Sequence, residues 1–236
     1  MQFEIKRDIL LKSLNFVQGV IEKKNTLPIL SNVLLELKNQ TLSIVATDLD
    51  LIFYEKITDV KIINEGSTTT SATVLYDILR KISSNSNLKF ELKNENKLSL
   101  KSENSDFNLL CLPTDNFPTF SDNFESQEIE LENSKFLKLL NKTRISISND
   151  DTRHYLNGIF LHLTEADGRN FLTGVATDSH RLSSSSLEIS NIKNFTSIIL
   201  PRKTVFQLCT LLSEISEKLK MQIDENRIKF SFGRIK

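Results

Sequence analysis

One four-residue run occurs twice in this chain, and no other feature restricts its fold more. Val45-Ala46-Thr47-Asp48 returns as Val175-Ala176-Thr177-Asp178, 130 residues on. The same offset relates two helical faces. Leu75, Ile78, Leu79 and Ile82 follow i, i+3, i+4, i+7 spacing, and so do Val205, Leu208, Cys209 and Leu212. It also relates Glu95-Asn96-Lys97-Leu98 to Glu225-Asn226-Arg227-Ile228. Three echoes in one register predict a duplicated domain. A period this long means tandem domains, not a solenoid of small units.

The chain has 236 residues, enough for one large domain or two modest ones. Six Gly and four Pro argue against disorder or a flexible linker. No apolar run approaches the ~20 residues of a membrane helix, and Met1-Gln2-Phe3-Glu4-Ile5-Lys6 alternates apolar and polar with no secretory signature. Cys111 and Cys209 read as small core residues, which fits a cytoplasmic, reducing compartment. Thirty basic and thirty acidic residues balance, so any nucleic-acid function must rest on where the charges sit.

Alternation at Phe3 and Ile5 opens a strand, and 6–20 follows as a helix with Ile9, Leu10, Leu14 and Val17 on one face. Strands are expected at 29–37, 42–47, 51–63, 88–92, 97–101 and 106–112, with a hairpin turn at Asn39-Gln40 and a helix over 71–82 capped by Ser71. The acidic stretch 113–134, without Lys or Arg, carries the link between the domains. The second copy replays the order. Ile129 and Leu131 answer Phe3 and Ile5; 156–163 and 171–177 form a hairpin with a longer turn through Glu165-Ala166-Asp167-Gly168; 201–212 is a helix led by Pro201; 219–223 and 227–232 are strands. No counterpart of 106–112 follows, so the expectation is a chain that stops inside a domain. The fold class is α+β, two helices on antiparallel sheet in each copy, with domains at 1–120 and 121–236.

The helix-bearing segments hold Lys6, Arg7, Lys12, Arg80, Lys81, Lys135, Lys138, Lys142, Arg144, Arg202 and Lys203, with few acids among them. A basic helical face on a neutral protein is the pattern of a sequence-independent phosphate-backbone binder. The plainer alternative is solvated helix faces.

Several motifs resemble one family. They are Thr26-Leu27-Pro28-Ile29-Leu30, Ala46-Thr47-Asp48-Leu49, Leu112-Pro113 with Asn116-Phe117-Pro118, Tyr155-Leu156-Asn157-Gly158, Ala176-Thr177-Asp178-Ser179-His180-Arg181-Leu182 and Leu200-Pro201-Arg202-Lys203. In this order they look like the bacterial DNA polymerase III beta subunit, the sliding clamp. The resemblance implies tandem DNA-clamp domains, of which domains one and two are present here and a third is absent. It implies a non-catalytic processivity factor that encircles duplex DNA as a head-to-tail homodimer when full length. Its partners would be the polymerase alpha subunit, the clamp loader and repair polymerases, bound through short hydrophobic peptides, with no membrane contact. The implied DNA contacts are Lys24, Asp150, His154 and Tyr155. The implied domain-two wall of the peptide groove is Leu156, Thr177, Ser179, His180, Arg181 and Leu182, with Ser179 in place of the usual Gly. Without the other wall, this chain is expected to bind such peptides weakly and to be a monomer.

Catalysis finds little support in the residues. Asp178, Ser179 and His180 carry the letters of a hydrolytic triad, but neighbours on a strand point to opposite faces, and no G-x-S-x-G elbow is present. His154, His162 and His180 lack metal-ligand spacing with cysteine, so no metal and no cofactor is expected. Two alternatives remain: a protein scaffold that does not bind DNA, and a metal-dependent nuclease using Asp150 and Asp151. Asp48 and Asp178 are expected to bond the backbone at a strand end in both copies.

Overall fold

A computed structural model describes residues 1–21, 27–103, 105–124, 128–150, 152–190, 195–224 and 227–236. The chain divides into two units. The first comprises Met1–Ser121 with Arg234–Lys236, and the second Asp122–Gly233.

In the first unit, β1 (Gln2–Lys6) runs directly into α1 (Arg7–Val17). Then come β2 (Asn32–Lys38), β3 (Thr41–Thr47), β4 (Ile52–Ile57), β5 (Lys61–Asn64), β6 (Gly66–Ser71), α2 (Ala72–Lys81), β7 (Asn87–Asn94), β8 (Lys97–Ser102) and β9 (Ser105–Leu112). The strands form one nine-stranded antiparallel sheet, ordered β4-β3-β2-β6-β9-β8-β7-β1-β5. The helices pack together on it, burying Leu10, Leu14 and Val17 of α1 and Leu75 and Leu79 of α2. Phe3 and Phe90, opposite each other on β1 and β7, stack at 4.6 Å. The Ser71 hydroxyl accepts from Val74 N, the cap its position suggests. Asn39 and Gln40 have φ of 50° and 58°, the left-handed pair of a two-residue hairpin.

The second unit repeats the order. It contains β10 (Ile129–Leu131), α3 (Asn133–Thr143), β11 (Gly158–Ala166), β12 (Arg169–Thr177), β13 (Leu182–Ile189), β14 (Ile198–Pro201), α4 (Arg202–Glu214), β15 (Leu219–Ile223) and β16 (Ile228–Ser231). Among the described residues its strands form two antiparallel sheets, β10-β15-β16 and β13-β12-β11-β14. Helices α3 and α4 pack against one another and bury Phe136, Leu139, Leu140, Val205, Leu208 and Leu212. Each copy is thus α+β, two helices on antiparallel sheet.

The strands β6, β13 and β14 are not expected from the sequence, and other details differ as well. The first helix ends at Val17, three residues early. Residues 28–31 form a 3-10 turn led by Pro28 rather than the start of a strand, because proline supplies no ladder N–H. The strand expected over 51–63 is two, since β4 pairs with β3 while β5 pairs with β1 on the far side of the sheet. The β11–β12 turn needs only Asp167 and Gly168, at φ 52° and 70°, and the strands continue through Glu165 and Ala166.

Arg7 also departs from its expected place on a free basic face. Its Nε donates to Leu79 O at 2.8 Å and a terminal nitrogen donates to Arg80 O at 3.3 Å. The side chain thereby satisfies carbonyls at the C-terminus of α2, which have no partner within the helix.

Candidate nucleic-acid interface and partner groove

The run repeated in the sequence builds the same turn twice. In the first unit Asp48 Oδ1 accepts from Asp50 N at 3.0 Å and Leu51 N at 2.7 Å, and Thr47 Oγ1 accepts from Leu49 N at 2.9 Å. In the second, Asp178 Oδ1 accepts from His180 N and Arg181 N, both at 3.0 Å, and Thr177 Oγ1 accepts from Ser179 N at 3.2 Å. Threonine and aspartate offer short acceptors that replace backbone partners at a strand end. The turn closes only if its next residue is left-handed. Leu49 has φ 85° and Ser179 φ 79°, conformations that L-residues rarely adopt. The backbone role expected of Asp48 and Asp178 is therefore what both carboxylates do.

What the two turns present is different. The first shows Leu49 and Asp50, the second Ser179, His180, Arg181 and Leu182, all exposed. Arg181 Nε donates to Asp178 Oδ2 at 2.9 Å. The Asp178 carboxyl is held below the usual range, first by the Arg181 backbone N–H, then by that of His180, with the Arg181 guanidinium adding to it. Leu182, at the start of β13, is 66% exposed.

A second loop, 148–157, rises beside this turn. Ser148 N donates to Leu156 O at 3.0 Å and closes its base. Asp150 is turned into the loop: its carboxylate accepts from Thr152 N at 3.0 Å, Thr152 Oγ1 at 2.6 Å and Arg153 Nε at 2.8 Å. These bonds, the Thr152 hydroxyl foremost, hold its carboxyl below the usual range. His154, Tyr155 and Leu156 form a single 3-10 turn, with His154 exposed and Tyr155 68% exposed. The loop leads into Gly158 on β11, where no side chain fits. A Cβ there would sit 2.3 Å from Leu200 O on the paired strand β14.

A hydrogen bond from Arg153 to Ser179 Oγ at 3.0 Å joins the two loops. Asp150, Arg153 and Ser179 therefore make a chain from the loop carrying His154 and Tyr155 to the turn carrying His180, Arg181 and Leu182. Asp150 and Ser179, the ends of this chain, are expected from the resemblance; Arg153, which links them, is not. An arginine three residues after an aspartate in a loop was the available signal. Lys24 and Asp151 lie outside the described residues.

At the root of the loop a further group comes together. Arg202, at the start of α4, donates its backbone N–H to Asn157 O at 3.0 Å and a guanidinium N–H to Ser148 O at 3.4 Å, and it also contacts Asn149. Its guanidinium and that of Arg144 both lie over the ring of Phe206. Phe206 belongs to none of the motifs in the sequence.

Among the described residues no group of three His, Cys, Asp or Glu comes together as metal ligands would. No helix there is long and apolar enough to cross a membrane.

Comparison with known proteins places both units in one group. Residues 1–121 match the DNA polymerase III beta subunit, N-terminal domain, and residues 130–236 match the DNA polymerase III beta subunit, central domain. The Beta sliding clamp of Caulobacter vibrioides is 35% identical over 236 residues, covering 99% of this chain and 63% of the relative. That of Escherichia coli is 35% identical over 233 residues, covering 99% and 62%. Among solved structures, a DnaN sliding clamp from Bartonella birtlesii bound to griselimycin superposes with a TM-score of 0.94 at 38% identity, covering 100% of this chain and 63% of that one. The Caulobacter crescentus pol III beta gives 0.94 at 34%, covering 100% and 64%. The chain thus spans a little under two thirds of the length of these relatives.

Proposed function

Because the chain belongs to the DNA polymerase III beta subunit family, we propose that it is part of a sliding clamp, a non-catalytic ring that encircles duplex DNA and tethers the replicative polymerase. Processivity then comes from topology, and the protein needs only weak contacts to phosphate, which carry no sequence information and permit sliding. In this reading residues 1–120 and 121–236 are the first two domains of a longer subunit that closes head to tail as a homodimer in the cytoplasm. Lys24, Asp150, His154 and Tyr155 serve the DNA side. Leu156, Thr177, Ser179, His180, Arg181 and Leu182 form one wall of a groove for short hydrophobic peptides of the polymerase alpha subunit, the clamp loader and repair polymerases.

The observation that carries the reading is the pair of neighbouring loops in the second unit. One exposes Tyr155, an aromatic that can stack or hydrogen-bond. The other exposes Leu182 beside two cationic or titratable side chains, an arrangement that suits an apolar peptide with polar flanks. Asp150, whose negative charge would repel phosphate, is instead neutralised within its loop by Arg153.

The test is topological. Prepared at the relatives' full length and loaded onto a nicked circular duplex, the protein should survive gel filtration in high salt and be lost once the circle is cut. Equal retention on linear DNA would refute the clamp reading. Cleavage of the duplex on adding a divalent cation would favour a nuclease instead.

A further inference from the structure

We propose that the face of β11 and β12 around Phe160 and Val175 is a seat for one phenylalanine, carried by an extended Phe-Pro segment of the longer subunit. The proposal rests on the reading of this chain as part of such a subunit. The duplication supplies the argument, because the first unit shows the same seat filled.

The two seats correspond residue by residue. Leu34 on β2 pairs with Val45 on β3, and Phe160 on β11 pairs with Val175 on β12. Val45 and Val175 both belong to the repeated run. On the other flank Leu34 faces Thr69 of β6, and Phe160 faces Ile199 of β14. In each unit a single 3-10 turn leads into the first of these strands, closed by a leucine four residues earlier. Leu30 N donates to Leu27 O at 3.1 Å, and Leu156 N donates to Arg153 O at 2.9 Å.

Occupancy separates the two copies. In the first unit Phe117 packs with Ile29 and Leu30 against Leu34 and Val45, and is itself 4% exposed. Thr69 is fully buried there, and its hydroxyl donates to Leu112 O at 2.8 Å. In the second unit Phe160 is 41% and Ile199 37% exposed, while Leu156 and Val175 are half-buried. Directly opposed strand residues share a face, so Ile199, Phe160 and Val175 make one apolar strip. The Phe160 ring is steadied by His162, stacked at 4.9 Å.

The chemistry of the occupant is read from the filled copy. Phe117 follows the 3-10 turn Thr114–Asn116, and its N–H donates to Thr114 O at 2.9 Å. Its φ and ψ are −79° and 132°, the extended conformation that a following proline, here Pro118, favours. A Phe-Pro segment therefore presents its ring with little backbone freedom left to lose on binding. This chain covers 63% of the Caulobacter vibrioides relative, so a subunit of that length has the residues to seat such a segment on the second unit, as 113–118 is seated on the first.

The experiment is an NMR titration of the 236-residue chain, labelled at Phe, Leu, Val and Ile, with a synthetic peptide of the sequence of residues 112–120. Saturable shifts are expected at Leu156, Phe160, Val175 and Ile199. Phe117→Ala in the peptide should weaken binding by at least about tenfold, the loss of a buried aromatic anchor. Pro118→Ala in the peptide should weaken it about threefold, by returning backbone freedom. Both peptide variants leave the fold of the chain untouched. In the chain, Phe160→Ser and Val175→Lys should each abolish the shifts at the rest of the seat, with thermal melts to check that the fold is kept. Equal affinity for the Phe117→Ala peptide, shifts confined to the 177–182 turn, or no saturable shift at all overturns the proposal. If the peptide binds as expected but the full-length protein is not retained on circular DNA, the clamp reading falls, and with it the assignment of the occupant to the longer subunit. If retention holds and peptide binding fails, the seat alone falls.

Discussion

Replacing Arg234 with alanine should destabilise the first unit in a way that depends on pH. Glu55 lies on β4 with 0% of its surface exposed. Arg234 Nε approaches Glu55 Oε1 at 2.7 Å, but neither carboxylate oxygen receives a well-aligned hydrogen bond. Burial pushes the Glu55 carboxyl above its ordinary pKa, while Ser13, Arg234 and Lys12 pull it down. Removing one partner of a buried ion pair leaves an uncompensated charge, at a cost of about 3–5 kcal/mol. Lys12 still acts on Glu55, so the lower end, about 3 kcal/mol, is expected at pH 8. At about 3–5 °C per kcal/mol for a unit of this size, the melting temperature should fall by roughly 9–15 °C.

The sign with pH follows from the direction of the shift. A carboxyl whose folded pKa is raised contributes stability below its unfolded pKa, and that contribution is lost as pH rises through the folded value. Arg234→Ala raises the folded pKa further, so its deficit should be smaller at pH 5 than at pH 8. Adding Glu55→Gln should recover most of the loss at pH 8. Far-UV circular dichroism melts at both pH values measure this; the chain has no tryptophan to report by fluorescence. A deficit equal at the two pH values, or below about 1 kcal/mol at pH 8, would show that Glu55 does not depend on Arg234.

Leu49→Gly should stabilise the protein by about 0.5–1 kcal/mol, because a side chain at φ 85° costs about 1–2 kcal/mol and the greater chain entropy of glycine takes back part of the gain; a lower melting temperature would argue against strain in that turn. Gly158→Ala should cost about 3 kcal/mol or more, since the new methyl meets a strand carbonyl rather than a flexible side chain, and a melt within about 1 kcal/mol of wild type would contradict the close approach. Asp178→Asn should flatten the acid limb of the stability curve. A carboxyl with a lowered pKa contributes stability above its unfolded value, about pH 4, that is lost as pH falls through the folded one. An acid-unfolding midpoint unchanged by the substitution would count against this role.

The parts legible in the sequence are those whose cause is local. Asp48 and Asp178 bond amides two and three residues ahead, so the repeated Val-Ala-Thr-Asp run carries its own turn in both copies. The buried faces of α2 and α4 follow from helical period alone. Other elements carried no such signal. β6 is Gly66-Ser67-Thr68-Thr69-Thr70-Ser71, and β13 includes Ser183-Ser184-Ser185-Ser186. Neither shows an apolar alternation. They are strands because neighbouring backbones offer unpaired edges: β2 and β9 to β6, and β12 to β13. Hydroxyls then bond across the faces, as Thr173 does with Thr164 and Ser186.

The sequence by itself thus determined the duplication, which shows as a repeat, and the buried helix faces and the turn that begins the proposed groove, since these depend on residues close together in the chain. Tertiary structure alone decided the long-range contacts of these side chains. Arg7 and Arg153 have carboxylates one and three residues away, Asp8 and Asp150, but their further acceptors, Leu79 O and Ser179 Oγ, lie 72 and 26 residues away, and Arg144 and Arg202 meet across Phe206. The physical reason is that contacts between distant segments are settled by distance in space, and no local pattern records which strand or helix will lie near.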